Sequence, residues 1–293
     1  MTNLQQNDAD NDKLYRFLFK DYSVRGEWVR LNQTFIDTLN THHYPKPVQK
    51  LLGEMMVATN LLTATLKFEG SITLQIQGEG ALKLALINAT NEQKIRGLAR
   101  LQGEINEQMS LHQMICEGVL VITISPTQGE RYQGVIALDK PTLAECLEDY
   151  FIRSEQLRTQ LIIRSGEFEN QPVAAGMLLQ IMPDSSNSDT DFEHLTTLTA
   201  TVKNEELFAL TAEELLYRLY HEETVEIYPP QSVEFNCGCS QERSGAALLL
   251  LSDEEIDQIL AEHNNSVDMQ CECCGTHYVF NKQSIQRLKE NAE

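Results

Sequence analysis

The chain has 293 residues, enough for one large domain with its own core and a smaller one beside it. Forty-three acidic residues stand against 23 basic ones, a formal charge of −20 that argues against phosphate backbones and anionic membranes as partners. No apolar run approaches the roughly 18 residues of a membrane span, and Met1 to Asp12 has neither the cationic nor the apolar region of a secretory signal, so a cytoplasmic location is expected.

In chain order, an aromatic cluster (Tyr15, Phe17, Phe19, Tyr22) leads into Ser23 to Leu31, whose alternation predicts a strand. His42 to Pro47 breaks the chain. Val48, Leu51, Leu52, Met55, Met56 and Ala58 then recur at three and four residues, the period of a helix. From Leu66 to Asn88 the period is two. Ile72, Leu74 and Ile76, then Leu82, Leu84 and Leu86, flank Gly78-Glu79-Gly80 and predict a hairpin with those residues on its apolar face. The glycines join strands instead of opening a helix, so they are a turn and not a phosphate loop. A second strand pair is expected at Val119 to Ser125 and Gln133 to Leu138. Pro141 to Leu157 reads as an amphipathic helix with Leu143, Cys146, Leu147, Tyr150 and Phe151 on one face. Cys146 lies on that stripe as a small hydrophobe.

Apolar, partly β-branched runs between residues 157 and 182 stop at Pro183, and Asp184 to Asp189 has the composition of a linker. We place a domain boundary there. Residues 184 to 236 hold twelve acids against Lys203 and Arg218, a net of −10. Within them Thr211-Ala212-Glu213-Glu214 is a capping box opening a helix with Leu215, Leu216, Leu219 and Tyr220 on one side, and Pro229-Pro230 is expected to end it. One apolar stripe under so much like charge predicts a marginal fold that depends on packing against the main domain. The same composition also describes an ordinary interdomain helix with a solvated acidic face.

Five of the seven cysteines fall in Cys237-Gly238-Cys239 and, 31 residues later, Cys271-Glu272-Cys273-Cys274-Gly275. CxC and CxxC spacing supplies four thiolates for one tetrahedral zinc ion. The choice of ligands is Cys237, Cys239, Cys271 and Cys274, with Cys273 as the alternative to Cys274; His263 and His277 are near in sequence but not needed. Residues 237 to 293 contain too few large apolar side chains to build a core unaided, so metal binding and folding of this tail should be one event. Zinc thiolates are also what peroxides attack, but spacing alone does not separate a structural site from a switch.

Across nearly its whole length the chain resembles the heat shock protein 33 family of redox-regulated chaperones. The resemblance is carried by Arg16 to Phe19, Val24 to Glu27, Gly78-Glu79-Gly80, Tyr132 to Leu138, Leu147 to Phe151 with Ser154-Glu155-Gln156, Gly176 to Pro183, Phe235 to Cys239 and Cys271 to Gly275. It implies an α+β protein in three parts: a core of packed β-sheets and helices (1–183), an acidic, largely helical, metastable linker (184–236) and a zinc-binding redox-switch domain (237–293). It further implies an ATP-independent holdase and not an enzyme, idle when reduced with one zinc ion per chain. Oxidation would form Cys237–Cys239 and Cys271–Cys274 disulfides, release zinc, unfold domain and linker, and expose surface for unfolding client proteins. The resemblance makes the reduced form a monomer and the oxidised form a homodimer. Cys273 departs from the family pattern. Two other classes compete. A thiol-disulfide oxidoreductase would place CxxC at a helix start near the N-terminus of its unit, and a nucleic-acid-binding zinc ribbon needs a basic face that residues 275 to 293 lack.

Overall fold

The structure, a computed structural model, describes residues 8–67, 69–182 and 188–290. The boundary expected between residues 183 and 184 lies outside the described residues. Chain contacts divide the protein into two compact units, 1–235 and 236–293.

The first unit begins with a short 3-10 turn, Asp8–Asp10, then β1 (Lys13–Phe19) and β2 (Val24–Leu31), so the aromatic cluster is itself a strand. Next come α1 (Gln33–Leu39), α2 (Lys46–Ala64), β3 (Gly70–Gly78), β4 (Leu82–Thr90), β5 (Lys94–Leu101), α3 (Leu111–Ile115), β6 (Gly118–Pro126) and β7 (Tyr132–Ala137). Then follow α4 (Leu143–Tyr150), a π turn (Phe151–Glu155), β8 (Thr159–Phe168), β9 (Gln171–Ile181), α5 (Ser188–Thr199), α6 (Asn204–Ala209), α7 (Ala212–Tyr220), β10 (Val225–Ile227), β11 (Gln231–Ser232) and β12 (Glu234–Phe235). One sheet runs β10-β1-β2-β9-β8, with β11 also on β1; the other runs β12-β5-β4-β3-β6-β7. Neighbours are antiparallel except β12 on β5.

Helix α2 packs on strands of both sheets and is buried nearly all round, from Val48 to Thr63. A helix with no solvent face belongs in the middle of a core. Around it Leu31, Phe35, Leu74, Ile76, Ile87, Leu120, Leu147 and Leu178 complete the main cluster. The first sheet is covered on its other face as well. Phe17, Phe19, Trp28, Val173, Met177 and Leu179 meet Phe192 and Leu195 of α5, Leu207 and Phe208 of α6, and Leu215, Leu216, Leu219 and Tyr220 of α7. Burial on both faces explains why β9 reads as a nearly continuous apolar run, and why β2 is buried along almost its whole length although it carries Arg25, Glu27 and Arg30.

Two polar contacts, from Asp10 and Arg30, fix that cover, and a third caps α1. Asp10, itself buried, accepts the Ala212 N–H at 2.8 Å and so caps α7 from 202 residues away. Asp12 likewise caps α1 through the N–H groups of Asn32, Gln33 and Thr34. Arg30 is fully buried, and its Nη1 donates to the carbonyls of Phe208 (3.1 Å) and Leu210 (2.9 Å), at the carbonyl-rich end of α6.

Three expectations are corrected. Where the second strand of the first hairpin, β4, pairs with β5, the register shifts between Leu82 and Leu84. This bulge turns Ala85, Ile87 and Ala89 into the core with Leu82 and puts Leu84 and Leu86 on the opposite, half-buried face. The helix expected through Leu157 stops at Tyr150 and relaxes into the π turn. Helix α7 ends at Tyr220, well before Pro229, because Val225–Ile227 pairs with β1 as an edge strand.

The second unit contains α8 (Gln241–Gly245), a 3-10 turn (Leu248–Leu250), α9 (Asp253–Glu262), β13 (Ser266–Gln270), β14 (His277–Asn281) and α10 (Lys282–Glu290). Its buried cluster is Leu248, Ile256, Leu260, Phe280 and Ile285. So small a core cannot hold 58 residues by apolar burial alone.

Candidate metal centre

Each cysteine motif is a turn that needs glycine. Gly238 sits at φ +61°, where a side chain would be strained, and lets the thiols either side of it face one point. Gly275, at φ +72°, closes the second turn: its N–H donates to the Cys271 carbonyl, and the Cys271 N–H to the Thr276 carbonyl, both at 2.8 Å. The hairpin β13–β14 presents this knuckle. Arg243, on α8, donates to the Gly238 carbonyl at 2.6 Å and pins the first turn.

The result is a four-sulfur cluster. The Sγ atoms of Cys237, Cys239, Cys271 and Cys274 all lie within 4.8 Å of one another, with Cys237–Cys271 at 3.3 Å and Cys239–Cys274 at 3.4 Å. Four thiolates about 2.3 Å from a tetrahedral zinc ion would stand roughly 3.8 Å apart, so these separations bracket the requirement. Cys273 is not in the group, nor are His263 and His277. His277 Nδ1 instead faces the Asp268 carboxylate at 2.9 Å, and His263 ends α9.

The protonation pattern suits a cation. Burial pushes the Cys237 thiol up, and the neighbouring thiols of Cys271, Cys239 and Cys274 add to it. The Tyr278 hydroxyl, 3.1 Å from Cys239, favours a thiolate there, but burial and Cys274 outweigh it and the net direction is upward. At Cys274 burial opposes the thiolate, yet hydrogen bonds from the Thr276 side chain and backbone and from Cys239 and Cys271 bring it down to about 7. Tyr278 in turn is pushed up to about 12, first by its bond to Cys239. Four negative charges cannot share this space unless a positive ion sits among them. An all-sulfur donor set selects a soft or borderline ion that prefers tetrahedral geometry.

Tyr278, Thr276 and Arg243 were not legible as site residues, since a tyrosine in an alternating strand and an arginine in a turn carry no spacing signal. Cys146 is buried on α4, and desolvation raises its thiol. Among the described residues no helix is long and apolar enough to cross a membrane.

These features define a class: an α+β body of two sheets joined to a small module stapled by a four-cysteine metal site. The family described as Hsp33 protein matches residues 12–281. The 33 kDa chaperonin of Mannheimia succiniciproducens is 74% identical over 284 residues, 97% of this chain and 96% of that protein. The 33 kDa chaperonin of Pasteurella multocida is 75% identical over 281 residues, 96% of this chain and 98% of that one. The crystal structure of the 33 kDa chaperonin from Thermotoga maritima shares the fold, with a TM-score of 0.82 at 22% identity over 96% of this chain and 99% of that one. The chain therefore belongs to the Hsp33 family, a family of chaperones and not of enzymes.

Proposed function

We propose that the protein is a redox-switched, ATP-independent holdase made of a core (1–183), a cover (184–236) and a switch (237–293). One observation carries the reading: an acidic segment buries an apolar sheet face against α5, α6 and α7, and runs within a few residues into the four-thiol module. When bound, one zinc ion per chain would cross-link the two motifs and supply about 10 kcal/mol of folding free energy that the five-residue cluster lacks.

The chemistry belongs to the sulfurs. A thiolate attacks the O–O bond of hydrogen peroxide, forming a sulfenic acid as hydroxide leaves. A second thiolate displaces hydroxide from that sulfur, so two thiols and one peroxide become one disulfide and two waters. We assign the bonds to Cys237–Cys239 and Cys271–Cys274, following the family resemblance. Every pair is within 4.8 Å, so a small closure reaches any bond, and peptide mapping of the oxidised chain decides between these and the cross-motif pairs. Once the ligands are gone the module unfolds. The cover, held by a few kcal/mol, then loses its anchor at the 235–236 end. Phe17, Trp28 and Met177 become surface for apolar segments of unfolding proteins, while the acidic excess keeps the complex soluble. A chain built on reduced thiols fits the cytoplasm, and the newly bared surface fits a dimer of the oxidised form.

The test follows zinc with a chromophoric chelator during peroxide treatment at mild heat, alongside light scattering from a heat-denatured client. Zinc should leave as scattering is suppressed, and reductant with zinc should reverse both. Zinc loss with no gain in protection would make the centre purely structural.

A further inference from the structure

Helix α2 fills the space between the two sheets only as far as Ala64, and residues of both sheets line the gap beyond its end. A cavity of about 630 Å³ is left there, a size usual for small-ligand sites. Its floor is apolar and buried, formed by Leu62 from the last turn of α2 with Ile72 and Ile122 from the second sheet. Leu66, Ile124 and Phe151 continue the lining outward as half-buried side chains.

The charged groups stand at the rim. Arg25 comes from the first sheet with its side chain 24% exposed, and Lys67 is exposed just past the end of α2. Gln180, itself buried, accepts from Arg25 Nη2 at 2.6 Å and gives its own Nε2 to Thr159 at 2.8 Å, so a fixed amide aims the guanidinium. Glu27 lies 4.0 Å from Arg25 Nε. Arg25 Nη1 and the Lys67 ammonium have no acceptor among the described residues. The one carboxylate among the described lining residues, Glu155, already accepts from the Tyr150 hydroxyl at 3.0 Å. The charge left uncompensated at the rim is therefore positive.

We infer that this cavity binds a free long-chain carboxylic acid, its tail between the sheets and its carboxylate on Arg25 and Lys67. An alkyl tail suits a floor of Leu62, Ile72 and Ile122 because it buries no polar group that would need a partner there. The edge of the guanidinium matches a planar carboxylate. The charge of −20 opposes a phosphate dianion or an anionic bilayer more than a single carboxylate, which selects the free acid over a phospholipid. Each methylene buried should tighten binding by up to about fourfold until the cavity is full. Arg25 and Gln180 lie on the face of the first sheet opposite the cover, so occupancy neither requires oxidation nor bares the surface meant for clients. The inference is independent of the redox reading.

The experiment uses the full-length, reduced, metal-loaded chain and cis-parinaric acid, a fatty acid whose fluorescence rises in an apolar site. We expect saturable binding of one probe per chain, displaced by octanoate, decanoate and dodecanoate in order of increasing affinity. Added dodecanoate should also raise the melting temperature of the larger unit. The methyl ester of dodecanoate, and dodecanoate itself on Lys67→Glu, should each bind about tenfold or more weakly, whereas Lys67→Arg should stay within about twofold. Ile124→Trp, which fills the cavity, should abolish probe binding. Metal content and ligand-free melting of the variants should match the parent. Absence of saturable binding overturns the proposal, as does unchanged binding by the ester, by Lys67→Glu or by Ile124→Trp. Binding confined to the oxidised chain overturns it too, because the probe would then report bared client surface. So does equal affinity for phosphatidylglycerol vesicles, which would make the ligand a lipid surface.

Discussion

Replacing Arg30 by methionine should loosen the cover without damaging the sheet beneath it. The guanidinium bonds the Phe208 and Leu210 carbonyls and, through Nε, Asn11, while lying 5.6 Å from the Trp28 ring centre. Methionine keeps much of the apolar volume but leaves two buried carbonyls without a donor. A hydrogen bond from a charged donor contributes about 1.5–3 kcal/mol, and removing the charge returns part of its desolvation cost. The net loss is about 3 kcal/mol, or roughly a hundredfold in the opening equilibrium. Amide hydrogen exchange reads it directly: residues 204–220 should exchange about a hundredfold faster, with β9 unchanged. Arg30→Lys should fall between, since one ammonium cannot reproduce the fork. In client protection the methionine variant should need less oxidant. Unchanged exchange in α6 and α7 would refute the reasoning, because it would mean that burying the guanidinium costs as much as its bonds return.

At the metal centre, Cys274→Ser should lose the stoichiometric ion and Cys273→Ser should keep it, as measured by metal analysis of purified chains; the reverse result would exchange their roles. A strong chelator should abolish the ellipticity contributed by residues 236–293 while the larger unit keeps its own melting transition. Glu27 is 2% exposed, and burial pushes its carboxyl from 4.5 up to about 7, with Arg25 and Arg16 partly opposing. Its folded value is the higher one, so the folded state holds the proton more tightly. The associated stability is complete below about pH 4.5 and is lost as pH rises to about 7. Glu27→Gln should remove about 3 kcal/mol of that decline, visible as a smaller drop in the urea midpoint between pH 5 and pH 8; identical drops in both proteins would count against it.

Periodicity located most strands and α2 because burial there follows a fixed face. It failed where geometry broke the period. At Leu82–Leu84 a single bulge moves Leu84 and Leu86 off the core face, and an alternating pattern contains no record of such a slip. The π turn after α4 was hidden for the same reason. The sulfur cluster was legible because ligand spacing is local, whereas Tyr278 joins it only through strand register. Arg30 left a trace that could have been read: an arginine set among Trp28, Val29 and Leu31 must have partners when buried. Those partners, 178 and 180 residues away, lie beyond any sequence window.

The cap that Asp10 places on Ala212 spans 202 residues, and so orders events on the ribosome. Translation adds about 5–20 residues per second, so about 10–40 s separate the emergence of the aspartate from that of its partner. For most of that interval β1 and β2 are outside the exit tunnel while α6, α7 and β10 are not. Every molecule is therefore born with its apolar sheet face bare, and closes over it only as synthesis ends.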